Sequence, residues 1–120
     1  MLKRFDSGQE YFFDEGCFIN ELSNDAADPA VSIAQARVAA GNTTRWHRLH
    51  NTTERYVILS GTGSVEMGDA APQSVSVGDC VIIPPLCRQR ITNIGNDDLV
   101  FLAICSPRFT PDCYEDIEEA

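Results

Sequence analysis

The sequence predicts an all-β domain of the sandwich or barrel type. Its 120 residues are enough for a single domain with one hydrophobic core. Apolar and β-branched residues occur in short runs, and Gly, Asn, Asp or Pro separates most of them, which is typical of strands joined by turns. No stretch of about 10–15 residues has a convincing helical period, apart from the last few residues of the chain. This pattern favours antiparallel strands over a parallel sheet with crossover helices.

The predicted strands follow one another closely along the chain. The first is CFINELS (17–23), and the next, AVSIAQARVAA (30–40), alternates between two faces. The remaining strands are predicted at TRWHRL, ERYVILS, GSVEMG, QSVSV, DCVIIP, RQRIT and LVFLAIC. Polar or turn-forming segments separate several of them, and Gly95 with Asn96 supplies a turn that requires positive φ.

The domain organisation predicted from this order is simple. We expect a single domain over residues 1–120, with the barrel core at about 30–105, an N-terminal strand region at 1–29 and a tail at 106–120. The tail ends in EDIEEA, which is expected to form either a short acidic helix or a frayed end.

The charge balance argues against several classes of partner. Nine Lys and Arg residues against eighteen Asp and Glu residues give a formal net charge of -9, which repels phosphate backbones and anionic membranes. No apolar run approaches the ~20 residues needed to span a bilayer, and the N-terminus lacks the apolar segment of a secretory signal. We therefore expect a cytoplasmic protein that binds neither nucleic acid nor membrane.

One segment, GNTTRWHRLHNTTERYVILSG (41–61), contains both histidines of the chain, His47 and His50, followed by Glu54. Side chains alternate between the two faces of a strand. If His47 faces the interior, Arg45 is therefore expected on the same face, and Tyr56 on the same face as Glu54. His50 is then expected to face away, unless a turn at residues 49–51 changes the alternation.

The glycines, acid and histidine of this segment have the spacing of a known motif pair. The first motif of the cupin family, G-x5-H-x-H-x(3,4)-E-x6-G, is matched at Gly41, His47, Glu54 and Gly61. The second, G-x5-P-x-G-x2-H-x3-N, is matched at Gly78, Pro84 and Asn93. Over roughly residues 30–105 the chain thus resembles a single-domain cupin. The resemblance implies a jelly-roll barrel, also called a double-stranded β-helix.

The chain departs from the family's ligand pattern at several positions. The second histidine of the first motif falls on Leu49; at the shorter spacing it falls on His50, but the first histidine then falls on Arg48. In the second motif, Leu86 replaces the glycine and Gln89 replaces the histidine.

The resemblance implies a metal site with an altered set of ligands. The implied ligands are His47, Glu54 and Gln89, with or without His50, and the ion would be Mn, Fe, Ni or Zn. The alternative is that His47 is a hydrogen-bonded interior residue and that Glu54 pairs with Arg45 across the barrel.

Two functions remain open at this point, and no catalytic residue is assigned. The first is a small metal-dependent enzyme of the dioxygenase, isomerase or lyase type, in which Arg45 or Tyr56 orients a small polar substrate. The second is a small-molecule binding or sensing module that lacks a metal. In either case we expect a homodimer, because small cupins commonly pair through their sheets.

Overall fold

Two antiparallel sheets make up the computed structural model, which describes residues 1–119. The strands are β1 (Tyr11–Phe13), β2 (Cys17–Ser23), β3 (Ser32–Val38), β4 (His47–Leu49), β5 (Thr53–Ser60), β6 (Gly63–Met67), β7 (Gln73–Val75), β8 (Cys80–Ile83), β9 (Gln89–Asn93), β10 (Leu99–Ser106) and β11 (Tyr114–Asp116). Two short 3-10 helices lie at Ser7–Gln9 and Pro111–Cys113. The predicted all-β class is confirmed.

Each of the two sheets contains strands from distant parts of the chain. The first sheet has the order β1-β2-β3-β10-β5-β8, and the second has the order β11-β4-β9-β6-β7. Strand β10, near the end of the chain, lies between β3 and β5 and pairs with both. As a result, residues from both ends of the sequence lie next to the segment that contains His47, His50 and Glu54.

The interior is densely packed at one end of the barrel. Alternation along β5 buries Glu54, Tyr56 and Ile58 and turns the residues between them outward. Ile58 belongs to an apolar cluster with Val38 and Leu99, and each of these three side chains is almost completely inaccessible to solvent. Burial of large aliphatic side chains of this kind contributes roughly 1.5–3 kcal/mol each to folding.

The other end of the barrel is left open by small side chains. Ala103 of β10 is paired with Ala34 of β3, and the next inward pair is Cys105 with Ser32. At the packed end, the corresponding inward pair is Leu99 with Val38, and these side chains are larger. A cavity of about 70 Å³ is present where the small side chains face inward.

Left-handed backbone occurs both at glycines and at residues that carry a side chain. Gly61 has φ +83°, and a Cβ atom there would lie 2.7 Å from the Asp98 carbonyl oxygen, so the position accepts no side chain without movement. Leu86, at the position of the family's glycine, keeps a left-handed φ of 66°. Its N–H donates to the Leu49 carbonyl at 2.8 Å, which holds the turn against β4.

The C-terminal segment differs from both alternatives expected for it, since it forms a strand and the Ile117 N–H beyond that strand still donates to the Trp46 carbonyl at 3.0 Å. Tyr114–Asp116 forms β11 and pairs with β4, so the predicted acidic helix is wrong over residues 115–119, and Ala120 lies outside the described residues. Strand formation wins because the acidic side chains reach basic ones on β4: Glu115 accepts from Arg48 at 2.7 Å. Within residues 1–119, no helix is long and apolar enough to cross a bilayer.

The edges of the first sheet are β1 and β8. Strand β2, at residues 17–23, is flanked by β1 and β3 and does not form an edge. On the outer face of this sheet, Leu59 and Ile82 are exposed. The homodimer stays a prediction.

Candidate functional site

The cavity at the open end of the barrel is lined by some of the buried polar residues, and Gln89 is not one of them. Its lining includes three carboxylates, Glu15, Glu21 and Glu54, together with the His47 imidazole. The rest of the lining is mostly apolar or aromatic, with Phe13, Phe101 and Tyr114 among its members. Charged groups are rarely buried without partners, so the contacts of each polar group indicate what the cavity does.

His47 begins β4 and is fully engaged by two acceptors. Its Nδ1 lies 2.7 Å from the Arg45 carbonyl oxygen, and its Nε2 lies 2.7 Å from Glu15 Oε1. A carbonyl oxygen and a carboxylate both accept, so both ring nitrogens carry hydrogen and the ring is an imidazolium. Burial opposes this charge, but the Glu15 carboxylate outweighs burial and raises the pKa of His47 to about 9.

Glu15 comes from the turn between β1 and β2, which is far from the predicted motif in sequence. Its side chain is only 12% exposed, against 2% for His47. Its second oxygen, Oε2, accepts from the Cys17 thiol at 3.2 Å. Tyr114 of β11 stacks on the His47 ring, with 5.3 Å between the ring centroids.

Glu54 lies deeper in the lumen and is incompletely paired. Its Oε2 accepts a long hydrogen bond of 3.6 Å from the Cys105 thiol, whereas its Oε1 has no hydrogen-bond partner among residues 1–119. Burial raises the pKa of Glu54 to about 7, and the negative charge of Glu15 acts in the same direction. The nearby His47 charge and the Gln89 amide act in the opposite direction, so Glu54 lies close to both.

Gln89 is held in one orientation by Tyr56. The Tyr56 hydroxyl donates to Gln89 Oε1 at 2.6 Å, and both side chains are buried. The amide nitrogen, Nε2, has no acceptor in the part of the chain that the structure describes. The Gln89 amide therefore faces the Glu54 carboxyl and lowers its pKa, although no hydrogen bond of ordinary length joins the two groups.

Two of the residues predicted for the site lie outside it. The Arg45 side chain, expected on the inner face, pairs with Asp116 at 2.7 Å on the surface. The prediction is wrong because β4 begins only at His47, so strand alternation does not extend back to residue 45. Asn51 does form a left-handed turn (φ 55°), yet His50 stays on the surface and lies 2.7 Å from Glu115 Oε1.

The sequence profile described as "Cupin domain" matches residues 34–105, which is more than half of the chain. This chain belongs to the cupin family. The uncharacterized protein MJ1618 of Methanocaldococcus jannaschii is 34% identical over 116 residues, which cover 95% of this cupin and 90% of that protein.

Solved structures with the same fold include several proteins of low sequence identity. KdgF from Halomonas sp. has a TM-score of 0.79 at 15% identity, over 91% of this cupin and 96% of that chain. The nucleoside dehydratase Pac13 from Streptomyces has a TM-score of 0.80 at 13% identity, over 98% of this cupin and 92% of that chain. Oxalate decarboxylase from Lactobacillus farciminis, in a formate complex, has a TM-score of 0.76 at 19% identity, over 90% of this cupin and 33% of that chain. At these identities the likeness shows the fold alone.

The donor set of this cupin does not fit the divalent metal that the motif implies. His47 has no free lone pair, and with a pKa of about 9 the removal of its extra proton at pH 7 costs about 3 kcal/mol. The Gln89 side-chain oxygen accepts from Tyr56, and the amide nitrogen points away from Tyr56. Gln89 therefore offers a donor where a metal needs an acceptor. Among residues 1–119, no group of three or more His, Cys, Asp or Glu side chains is arranged to hold an ion.

Sequence reasoning missed Glu15 and Tyr114, which complete the surroundings of His47. Neither belongs to the motifs. The available signal was physical: an interior histidine needs a partner, and FDEGC (13–17) has an acid next to a glycine at a turn. Nothing in the sequence says which acid that partner is.

Proposed function

We propose that this cupin is a proton-transfer enzyme of the isomerase or lyase type, and that it acts on a small molecule in its lumen without a bound metal. One observation carries the proposal. Glu54 is a buried carboxyl group in the cavity wall, with one oxygen free of any partner among residues 1–119 and a pKa near neutrality. Groups with these properties concentrate at catalytic sites.

The chemistry follows from the protonation of Glu54. A group whose pKa is about 7 is present in both forms at neutral pH, so it serves as a base and then as an acid. As a base, it takes a proton from a carbon next to a carbonyl group, and the C–H electron pair moves to form an enediol-type oxyanion. In an isomerisation, that carbon carries a hydroxyl group, whose proton moves to the former carbonyl oxygen; return of the abstracted proton to the former carbonyl carbon then gives the isomer. Alternatively, loss of a neighbouring hydroxyl group with that proton gives water and a double bond.

The His47–Glu15 pair supports this step by electrostatics. His47 is held in place by two acceptors, so charges of both signs are fixed beside Glu54. The Glu15 charge raises the pKa of Glu54 more than the His47 charge lowers it, so the pair makes Glu54 a stronger base. The fold that this chain shares with a nucleoside dehydratase is compatible with elimination of water, which is one of the two reactions.

Hydrogen exchange at carbon tests the proposal without knowledge of the natural substrate. The protein is incubated in D₂O with small hydroxy aldehydes and ketones, such as glyceraldehyde and dihydroxyacetone, and deuterium next to the carbonyl is followed by NMR. We expect the protein to accelerate incorporation and Glu54→Gln to reduce the acceleration by at least ~100-fold. Asp69→Asn, at a fully exposed carboxylate, is the matched control and should behave as wild type.

Three results would overturn parts of this assignment. Exchange that is unchanged in Glu54→Gln would remove Glu54 from the reaction. Exchange that depends on added Mn, Fe, Ni or Zn and disappears with chelator would return the metal to the site. Binding of these compounds without any exchange would favour the non-catalytic binding module.

A further inference from the structure

The outer face of the first sheet is mostly apolar, although it lies on the surface of the protomer. We propose that this face binds the same face of a second copy of the chain, so that two protomers pack sheet against sheet around a two-fold axis. The inference goes beyond the proposed reaction and does not depend on it, because it concerns the side of the sheet that faces away from the cavity.

The apolar face extends across four neighbouring strands, β3, β10, β5 and β8. Its side chains alternate with the buried ones and therefore point outward. Strand pairing places Leu102 beside Val57 and Val57 beside Cys80, so the apolar side chains continue from one strand to the next. Cys80 and Ile82 are exposed in the protomer, and the others are half-buried. The residues that define the face are Ile33, Val57, Cys80, Ile82, Leu102 and Ile104.

The outer face of the second sheet has the opposite composition. Its outward residues include Arg48 of β4, Arg90 of β9 and Glu66 of β6, with Ser64 and Thr92 beside them. A sheet face in contact with water is ordinarily polar, as this one is. An exposed apolar patch on the same molecule marks a surface that a partner covers.

Charge favours a second copy as that partner. The chain has a formal net charge of -9, so most of its surface repels another copy. Within residues 1–119, the acidic residues in the strands of the first sheet are Glu21 and Glu54, and both line the cavity on the inner side. Two apolar faces therefore meet without carboxylates from their strands opposite one another, which is the charge depletion found at the centre of protein interfaces.

The arginines of this sheet have their own partners. Arg37 pairs with Glu10 and Asp98, so its charge is compensated within the protomer. Arg55 donates to the Ser106 hydroxyl at 2.9 Å, at the end of β10. Arginine stems cover apolar surface while their guanidinium groups reach polar partners at its margin. The arginines thus leave the centre of the face apolar.

The area of the face is sufficient for a dimer. Four strands span about 19 Å across the sheet, and the eight-residue strands β5 and β10 are about 26 Å long. Each protomer therefore contributes roughly 500 Å², and two protomers together reach the ~1,000 Å² that a specific interface requires.

Two substitutions of equally exposed isoleucines test the surface. Ile82 is 61% exposed in the apolar face, whereas Ile94 is 54% exposed and follows β9 of the second sheet. In a two-fold dimer, Ile82→Glu buries two carboxylates without partners. By sedimentation equilibrium at about 50 µM, we expect wild type at twice the protomer mass of 13.2 kDa. Ile82→Glu should raise the dimer Kd at least ~100-fold, and Ile94→Glu should change it less than ~2-fold.

The wild-type protein alone supplies a second measurement. Cys80 is exposed in the protomer and lies in the apolar face. Its reaction with a maleimide should slow at least ~10-fold when the protein is concentrated from well below to well above the dimer Kd. In Ile82→Glu the rate should be independent of concentration over the same range.

The outcomes separate this proposal from the enzymatic one. A wild-type monomer would leave the face to a different partner and refute the dimer, as would a dimer that survives Ile82→Glu or is equally weakened by Ile94→Glu. A Cys80 rate that is the same in monomer and dimer would move the interface elsewhere. Hydrogen exchange catalysed by a monomer would refute the dimer alone, and a dimer without exchange would refute the reaction alone.

Discussion

Replacement of Glu54 by glutamine should make the protein more stable, and more so at high pH. Glu54 is 8% exposed and its Oε1 has no partner within residues 1–119, so its ionised form is poorly compensated in the folded state. Burial raises the pKa of Glu54 from its ordinary value of 4.5 to about 7. The folded protein therefore holds this proton more tightly than the unfolded chain does.

The sign and the magnitude follow from proton linkage. The contribution of Glu54 to stability is fully present below pH 4.5 and is lost as the pH rises through 7. The full loss is about 3 kcal/mol, at about 1.4 kcal/mol for each pH unit between the two pKa values. Glu54→Gln carries no charge at any pH, so it should be more stable than wild type by about 1 kcal/mol at pH 5.5 and by about 3 kcal/mol at pH 8.

Urea denaturation at the two pH values measures this difference. With a slope of about 1.5 kcal/mol/M, a gain of about 3 kcal/mol moves the midpoint by roughly 2 M. His47 is present in both wild type and Glu54→Gln, so its contribution largely cancels when their free energies of unfolding are subtracted. The difference therefore reports mainly on Glu54. Asp69→Asn, at an exposed carboxylate, should show no such dependence on pH. A difference that is the same at both pH values, or a variant less stable than wild type at pH 8, would refute the reasoning.

Three other substitutions, and a fourth that serves as a control, test separate parts of the structure. Glu15→Gln should lower the pKa of His47 from about 9, because burial lowers this pKa and a neutral amide counteracts burial less than the carboxylate does. An unchanged midpoint in an NMR titration of the ring would contradict the ion pair. Leu86→Gly should stabilise the fold by about 1 kcal/mol through relief of its left-handed backbone, and a loss of stability in urea would disprove the strain. Gly61→Ala should cost about 2 kcal/mol or more, since its Cβ would lie 2.7 Å from a backbone oxygen, whereas Gly41→Ala, with a similar φ and open space, should cost less.

The sequence was sufficient to predict the fold and the inward direction of part of the site. Short strands and the spacing from Gly41 to Gly61 predicted the cupin barrel, which the family match confirms. Alternation correctly turned Glu54 and Tyr56 to the same face, because both lie within the eight-residue strand β5. The rule depends on regular strand geometry, and it failed for Arg45 because that residue precedes the strand.

Only the tertiary structure determined the chemical state of the site. His47 looks like a metal ligand in the sequence, but the fold brings Glu15 to its free nitrogen and Tyr114 to its ring, from 32 positions before it and 67 positions after it in the numbering. Local patterns indicate which way a side chain points, since that depends on neighbouring residues. Whether a buried histidine carries a proton or a metal depends on which charge lies opposite it, and that is decided by contacts between distant segments.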